Sequence, residues 1–223
     1  MRTRLLFTFM AIAVHSWTAY PQSLQISASV QMTYGAKYRT TLGVFHRTED
    51  YLRGTARWSG NLQQEYRPIP ALSLLGGYTF LYNHAYSGDS AHRYWQPRHR
   101  LFAAIMPRWS RYGFNFNFRQ MHQIVLWSDQ GSQNNQRLRS RVYLERPVLQ
   151  DMFRPFAYYE LFFDPCDRLS LMMHQLTAGA SYYLSVSNKI TLQYRHIFRP
   201  DRKHPTDGLD VIGVSYMYIF KGG

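Results

Sequence analysis

The residues most able to do chemistry are arginines at alternate positions. Arg137, Arg139 and Arg141 follow one another two apart, and Arg57 and Arg119 stand in similar polar–apolar settings. Glu65, Glu145 and Glu160 occupy matching positions elsewhere. Spacing of two places side chains on one face of an extended strand. If that face lines an enclosed space, two outcomes follow. The guanidinium groups and carboxylates form a structural network, or the uncompensated cations favour anions in a narrow pore. Lys37, Arg39, Arg53, Arg98, Arg100 and Arg195 share the same parity, so three glutamates cannot neutralise the set.

A second candidate is a nucleophile and its base. A hairpin pairing sum near 262 sets His122 opposite Ser140, both on the apolar face. Such a pair would suit an envelope-lipid hydrolase or acyl-modifying enzyme. A working triad also needs an acid to orient the histidine, and no Asp or Glu shares that face nearby. The residues therefore weigh against an enzyme. No metal site is expected. His46, His84, His99, His122, His174 and His196 all fall on the apolar parity near strand ends, where they would ring a circumference rather than converge on a point. Cys166 is the only cysteine, which excludes a disulfide framework and a thiolate zinc site. No nucleotide or phosphate-loop fingerprint is present, and no cofactor is expected.

The elements that must position these residues are strands. From Ala28 to Val44 every second residue is small or apolar. The contrast is sharpest where Tyr112, Phe114, Phe116 and Phe118 oppose Arg111, Asn115, Asn117 and Arg119. The same period continues to Phe220, giving about ten strands and no helical segment. Gly35 suggests a turn, but a two-residue hairpin would flip the parity of the apolar set. The unbroken parity therefore reads as one long strand. The connections alternate between short ones, such as 68–70, 108–110 and 187–188, and long ones, such as 84–96 and 200–208. Short turns at one end and longer loops at the other are the habit of outer-membrane barrels.

Composition fits this reading. The 223 residues carry 26 Lys and Arg against 13 Asp and Glu, a net charge of +13, with 17% aromatic residues. So many aromatics exclude disorder. After residue 14 no apolar run approaches the ~20 residues of a membrane helix. Residues 1–23 read as an export signal, with Arg2 and Arg4 before the apolar stretch from Leu5 to Val14 and a cleavage point between 19 and 23. An exported chain does not meet nucleic acid. Residues 24–223 then form a single antiparallel up-and-down transmembrane β-barrel in the outer membrane. The N-terminus is expected in the periplasm, with the long loops outside. The expected partners are outer-membrane lipids, the barrel-insertion machinery and small anions.

The strings RHRLFAAIMP, RLRSRVYLERP and FRPFAYYELFF resemble an uncharacterised barrel family of bacteroidete outer membranes, domain of unknown function 2490. The shared features are Arg137, Arg139 and Arg141, followed by Pro155 and the inward Glu160. The resemblance implies a fold and a location but assigns no activity to any residue. A second hairpin argument, with a pairing sum near 299, sets Glu160 beside Arg139. Arg137 and Arg141 would lie diagonally on either side.

Overall fold

The computed structural model describes residues 22–49, 54–87, 90–127, 135–198 and 208–221. The segment read as an export signal lies outside them except for its last two residues, and Ser23 is already the first residue of a strand. Eleven strands form one closed barrel: β1 (Ser23–Tyr34), β2 (Tyr38–Glu49), β3 (Gly54–Ile69), β4 (Leu72–Ser87), β5 (Ser90–Arg111), β6 (Phe114–Trp127), β7 (Asn135–Glu145), β8 (Phe153–Asp164), β9 (Ser170–Tyr183), β10 (Asn188–Phe198) and β11 (Leu209–Lys221). Each strand pairs antiparallel with its sequence neighbours. The barrel closes by a parallel pairing of β1 with β11, from Ser23↔Val211 to Thr33↔Lys221. An odd number of alternating strands leaves the first and last running the same way, so one parallel seam is unavoidable.

The expected single strand from Ala28 to Val44 is in fact the β1–β2 hairpin. Tyr34 pairs with Tyr38 across a turn at residues 35–37, where Gly35 takes a left-handed φ of 56°. A three-residue turn pairs position n with n+4, so the apolar set keeps its parity and the alternation passes through the turn unmarked. The extra strand also separates the N-terminal end of the barrel from the short turns, with which it was expected to lie. Ser23 sits at the end that carries the long connections, whereas β11 ends among the short turns, where the Ile219 amide donates to the Ser187 carbonyl at 2.7 Å.

A second expectation changes as well. Most of the 84–96 segment is not a loop. β4 and β5 continue pairing to Ser87↔Ser90, so this hairpin extends well beyond its neighbours.

The two faces separate as the alternation requires. Outward side chains are apolar and exposed around the circumference: Val44 is 60% exposed, Leu62 45%, Leu101 47%, Val142 54% and Leu192 54%. Inward side chains are charged, polar or bulky, and Glu65, Gln123, Glu160, Gln175, Leu81, Met121 and Phe162 are buried. Two inward glycines make room for aromatic rings on the facing strand. Gly77 pairs with Phe102 and Gly179 with Phe156. A Cβ on Gly77 would collide with the Phe102 ring and stand 2.6 Å from the Leu62 carbonyl oxygen. Gly77→Ala is therefore expected to lower the urea unfolding midpoint, by the ~1–3 kcal/mol typical of overpacking. Gly76→Ala would meet only the Phe102 carbonyl oxygen, at 4.0 Å, and should leave the midpoint near its original value.

Candidate functional site

The inward polar residues gather into clusters stacked along the barrel. Glu65 anchors the first, toward the short turns. Register places it across from Arg39 on β2, and β3, β4 and β5 bring the rest of its shell. It accepts from Arg67 Nε at 2.8 Å, Ser73 Oγ at 2.8 Å, Arg108 Nη2 at 2.5 Å and Arg39 Nη1 at 3.4 Å. At 3% exposure a carboxylate needs such a shell to offset desolvation. Glu145, the last residue of β7, accepts from the Tyr143 hydroxyl at 2.9 Å and makes longer contacts of 3.5 Å to Asn115 and Arg154.

Glu160 is the most enclosed acid, 1% exposed in the middle of β8. Its Oε1 meets Arg119 Nη2 at 2.5 Å, and its Oε2 meets Arg139 Nη2 at 2.9 Å and Gln175 Nε2 at 2.8 Å. The residue directly across is Arg141, not Arg139, because the pairing sum is 301 rather than 299. The turn closes at Val148↔Phe153, one residue later than expected, with Leu149, Gln150 and Asp151 all at positive φ. Moving a hairpin apex by one residue slides the register by two and keeps every side chain on its face. Arg139 therefore reaches Glu160 diagonally while its guanidinium covers the Phe162 ring at 4.5 Å. Arg141 lies over Tyr158 at 5.1 Å and Tyr143 at 5.7 Å. Arg137 stands apart from Glu160, across from Gln123.

Toward the long connections the composition changes. Arg57, Arg98, Arg100, Arg137 and Arg195 face one another across the interior, with Arg57 in electrostatic reach of Arg98, Arg137 and Arg195. Arg57 donates to Asn83 Oδ1, and Arg98 donates to Gln96 at 2.8 Å. Arg53, also expected in the lumen, lies outside the described residues. Between the clusters Leu75, Leu81, Met106, Met121, Val125, Phe156 and Phe162 are buried, so apolar side chains occupy much of the interior.

The His122–Ser140 pair is not assembled. The β6–β7 pairing sum is 260, which sets His122 across from Leu138 and Ser140 across from Gln120. Ser140 Oγ donates to Gln120 Oε1 at 2.7 Å, and His122 Nε2 is 3.0 Å from Gln136 Oε1. Both polar groups are satisfied by amides, and neither reaches the other. The rim does hold a histidine–carboxylate contact that the alternation missed. His196 Nδ1 lies 2.6 Å from Asp210 Oδ1, which also accepts from the Tyr194 hydroxyl at 2.5 Å. Asp210 precedes the alternating run at Ile212, so nothing in the pattern marked it. Among the described residues no group of three His, Cys, Asp or Glu could hold a metal.

Arg67, Ser73, Arg108 and Gln175 were also not singled out in the sequence. Arg67 and Gln175 were legible by parity. Ser73 was legible by parity as well, and Arg108 needed the register.

No curated protein matches the chain. A solved structure, "Crystal Structure of the Beta Domain of the Bordetella Autotransporter Brka", aligns at a TM-score of 0.45 and 11% identity over 82% of each chain. Residues 14–207 match the family model described as "Protein of unknown function (DUF2490)", and the chain belongs to that family.

Proposed function

We propose that this protein is an outer-membrane barrel with a packed, basic interior, serving as a structural envelope component rather than a wide channel. The observation that carries this reading is the inverted polarity. Large apolar residues are exposed on the outward face of strand after strand, while Glu65, Glu145, Glu160 and most arginines of the strands face inward. Soluble monomers rarely expose contiguous apolar patches beyond a few hundred Å². A belt running the full circumference calls for a lipid surround. Aromatic pairs flank the belt, as at membrane interfaces. Tyr38–Tyr66 and Trp109–Phe116 lie on the turn side, with His46–Trp58 and Tyr82–Trp95 on the other.

The interior supports the structural role. The guanidinium groups of Arg139 and Arg141 lie over aromatic rings, and buried Leu, Met and Phe side chains take up space that an aqueous channel would need. Small barrels commonly fill their interiors this way. The excess of arginine makes whatever space remains favour anions. Purified protein in a planar bilayer should show no porin-sized conductance step, and any residual current should be anion-selective. Large cation-permeable steps would contradict the reading.

Orientation follows from the turns, with the short ones on the periplasmic side. The exposed Cys166, in the connection between β8 and β9, then faces outward from the cell. A bulky, membrane-impermeant maleimide is expected to label Cys166 on intact cells. Labelling only after the outer membrane is permeabilised would reverse the orientation.

A further inference from the structure

We infer that the loop-side half of the barrel interior is a binding site for a tetrahedral oxyanion of the phosphate–sulfate class, held by Arg57, Arg100, Arg137 and Arg195. The inference rests on the closed, packed interior proposed above and assigns a ligand to the part of it that protein groups do not neutralise.

The argument starts from a contrast between the two halves. The guanidinium groups of Arg39, Arg67 and Arg108 share Glu65, those of Arg119 and Arg139 share Glu160, and that of Arg154 reaches Glu145. Each of these arginines has a carboxylate within 3.5 Å. Among the described residues Arg57, Arg100, Arg137 and Arg195 form no such ion pair, although all four point inward. None of their paired strand neighbours is a carboxylate, and on β2 Arg57 faces a further arginine, Arg47. Arg57 faces Asn83, Arg100 faces Thr79 and Val125, Arg137 faces Gln123, and Arg195 faces Thr177 and Val211. Asp164 lies in electrostatic reach of Arg137 without bonding to it. The Nε groups of Arg100 and Arg195 are buried with no hydrogen-bond partner, as are those of Arg119 and Arg139, so the contrast between the halves lies in the carboxylates.

Four strands thus send like charges into the loop-side interior. Arg57 is in reach of Arg137 and Arg195, and Arg100 is in reach of Arg57 and Arg137. Like charges at close quarters in a low dielectric are unfavourable unless an opposite charge is supplied. Among the described residues the protein supplies a bonded carboxylate at the other clusters, and here only the unbonded Asp164. Guanidinium presents a planar fork of N–H donors that matches the oxygens of phosphate, sulfate or carboxylate. Forks converging from β3, β5, β7 and β10 surround the volume from several directions. That arrangement suits a tetrahedral ion with oxygens on all sides better than a flat carboxylate. Entry is from the loop end, since the cluster lies near the loop-side ends of β3, β7 and β10.

The test uses the full barrel, refolded in detergent micelles, with inorganic phosphate as the probe and chloride at matched ionic strength as the control. A ligand that binds only the folded state raises the unfolding midpoint with the logarithm of its concentration. The midpoint is expected to climb with phosphate, and with sulfate, well above any trend in chloride. In Arg57→Gln/Arg100→Gln the phosphate-specific slope should vanish. The midpoint of that variant in chloride should equal or exceed that of the unsubstituted barrel, because repulsion has been relieved. Should the double variant not fold, phosphorus NMR of the unsubstituted barrel decides the matter. The phosphate line should broaden on adding protein and sharpen again when sulfate displaces it. Equal slopes in phosphate and chloride, a phosphate slope that survives in the variant, or a phosphate line unaffected by protein would each overturn the site. A barrel that conducts no ions yet ignores phosphate loses only the oxyanion site. A barrel with porin-sized conductance loses the packed interior itself.

Discussion

Glu160→Gln is expected to lower the unfolding midpoint of the barrel more than any other interior substitution, by the equivalent of about 3–5 kcal/mol. The carboxylate is 1% exposed and bonds to Arg119, Arg139 and Gln175. Gln preserves the volume and one acceptor oxygen, so packing barely changes. What is lost is the only negative charge among Arg119, Arg139 and Arg141, which are left facing one another in a confined space. Removing one member of a buried ion network costs more than the network is worth, because the remaining charges stay desolvated. Adding Arg139→Gln to Glu160→Gln should recover part of the loss, since one of the stranded cations is removed. Full recovery is not expected while Arg119 and Arg141 remain. Equilibrium unfolding in urea, with the double-mutant cycle, measures the coupling. Equal, additive and small effects would mean that water fills and screens the interior.

The second large effect concerns the outer face. Leu192 lies mid-strand in β10, 54% exposed, between Ala180 and Val214. Leu192→Arg places a cation at the depth of the hydrocarbon core, where the cost is about 2–4 kcal/mol. Phe116 is also outward but only two residues from the start of β6, stacked on Trp109 at a centroid distance of 5.6 Å. There the same change should cost about 0–1 kcal/mol. In a water-soluble barrel both positions would be ordinary surface, and both changes would fall within roughly ±0.5 kcal/mol. Folding yield and unfolding midpoint in lipid vesicles distinguish the depth-dependent outcome from the flat one.

The pattern of faces was legible in the sequence because a strand's period of two survives any register. Val142 and Leu192 point out and Arg139 and Glu160 point in whether a hairpin apex is placed correctly or one residue away. What alternation cannot carry is the register itself. An apex moved by one residue keeps parity and slides pairing by two. That is why Glu160 faces Arg141 rather than Arg139, and why His122 misses Ser140. The same blindness hid the β1–β2 turn, since residues 35–37 preserve parity and only Gly35 marked the break. From that turn came the eleventh strand and the new position of Ser23. The central Glu160 cluster was nonetheless anticipated in part, because long arginine side chains tolerate a slide of two residues. The placement of Glu65, Glu145 and Glu160 in the middle and toward the turns, leaving Arg57, Arg100, Arg137 and Arg195 together, depends on register around the whole barrel and was not visible from any one hairpin.

The most direct test of a lipid-facing barrel with a packed interior is a spin-label scan along β10, from Asn188 to Phe198, in vesicles, with Cys166→Ser removing the native thiol. Collision with oxygen reports lipid exposure, and collision with a hydrophilic nickel complex reports water. Positions 190, 192 and 194 are expected to show high oxygen and low nickel accessibility, with oxygen peaking at 192. Positions 189, 191 and 193 are expected to be low for both, as in a core. High nickel accessibility at the odd positions would mean an open aqueous lumen, and high nickel accessibility at the even ones would mean that the barrel does not sit in lipid at all.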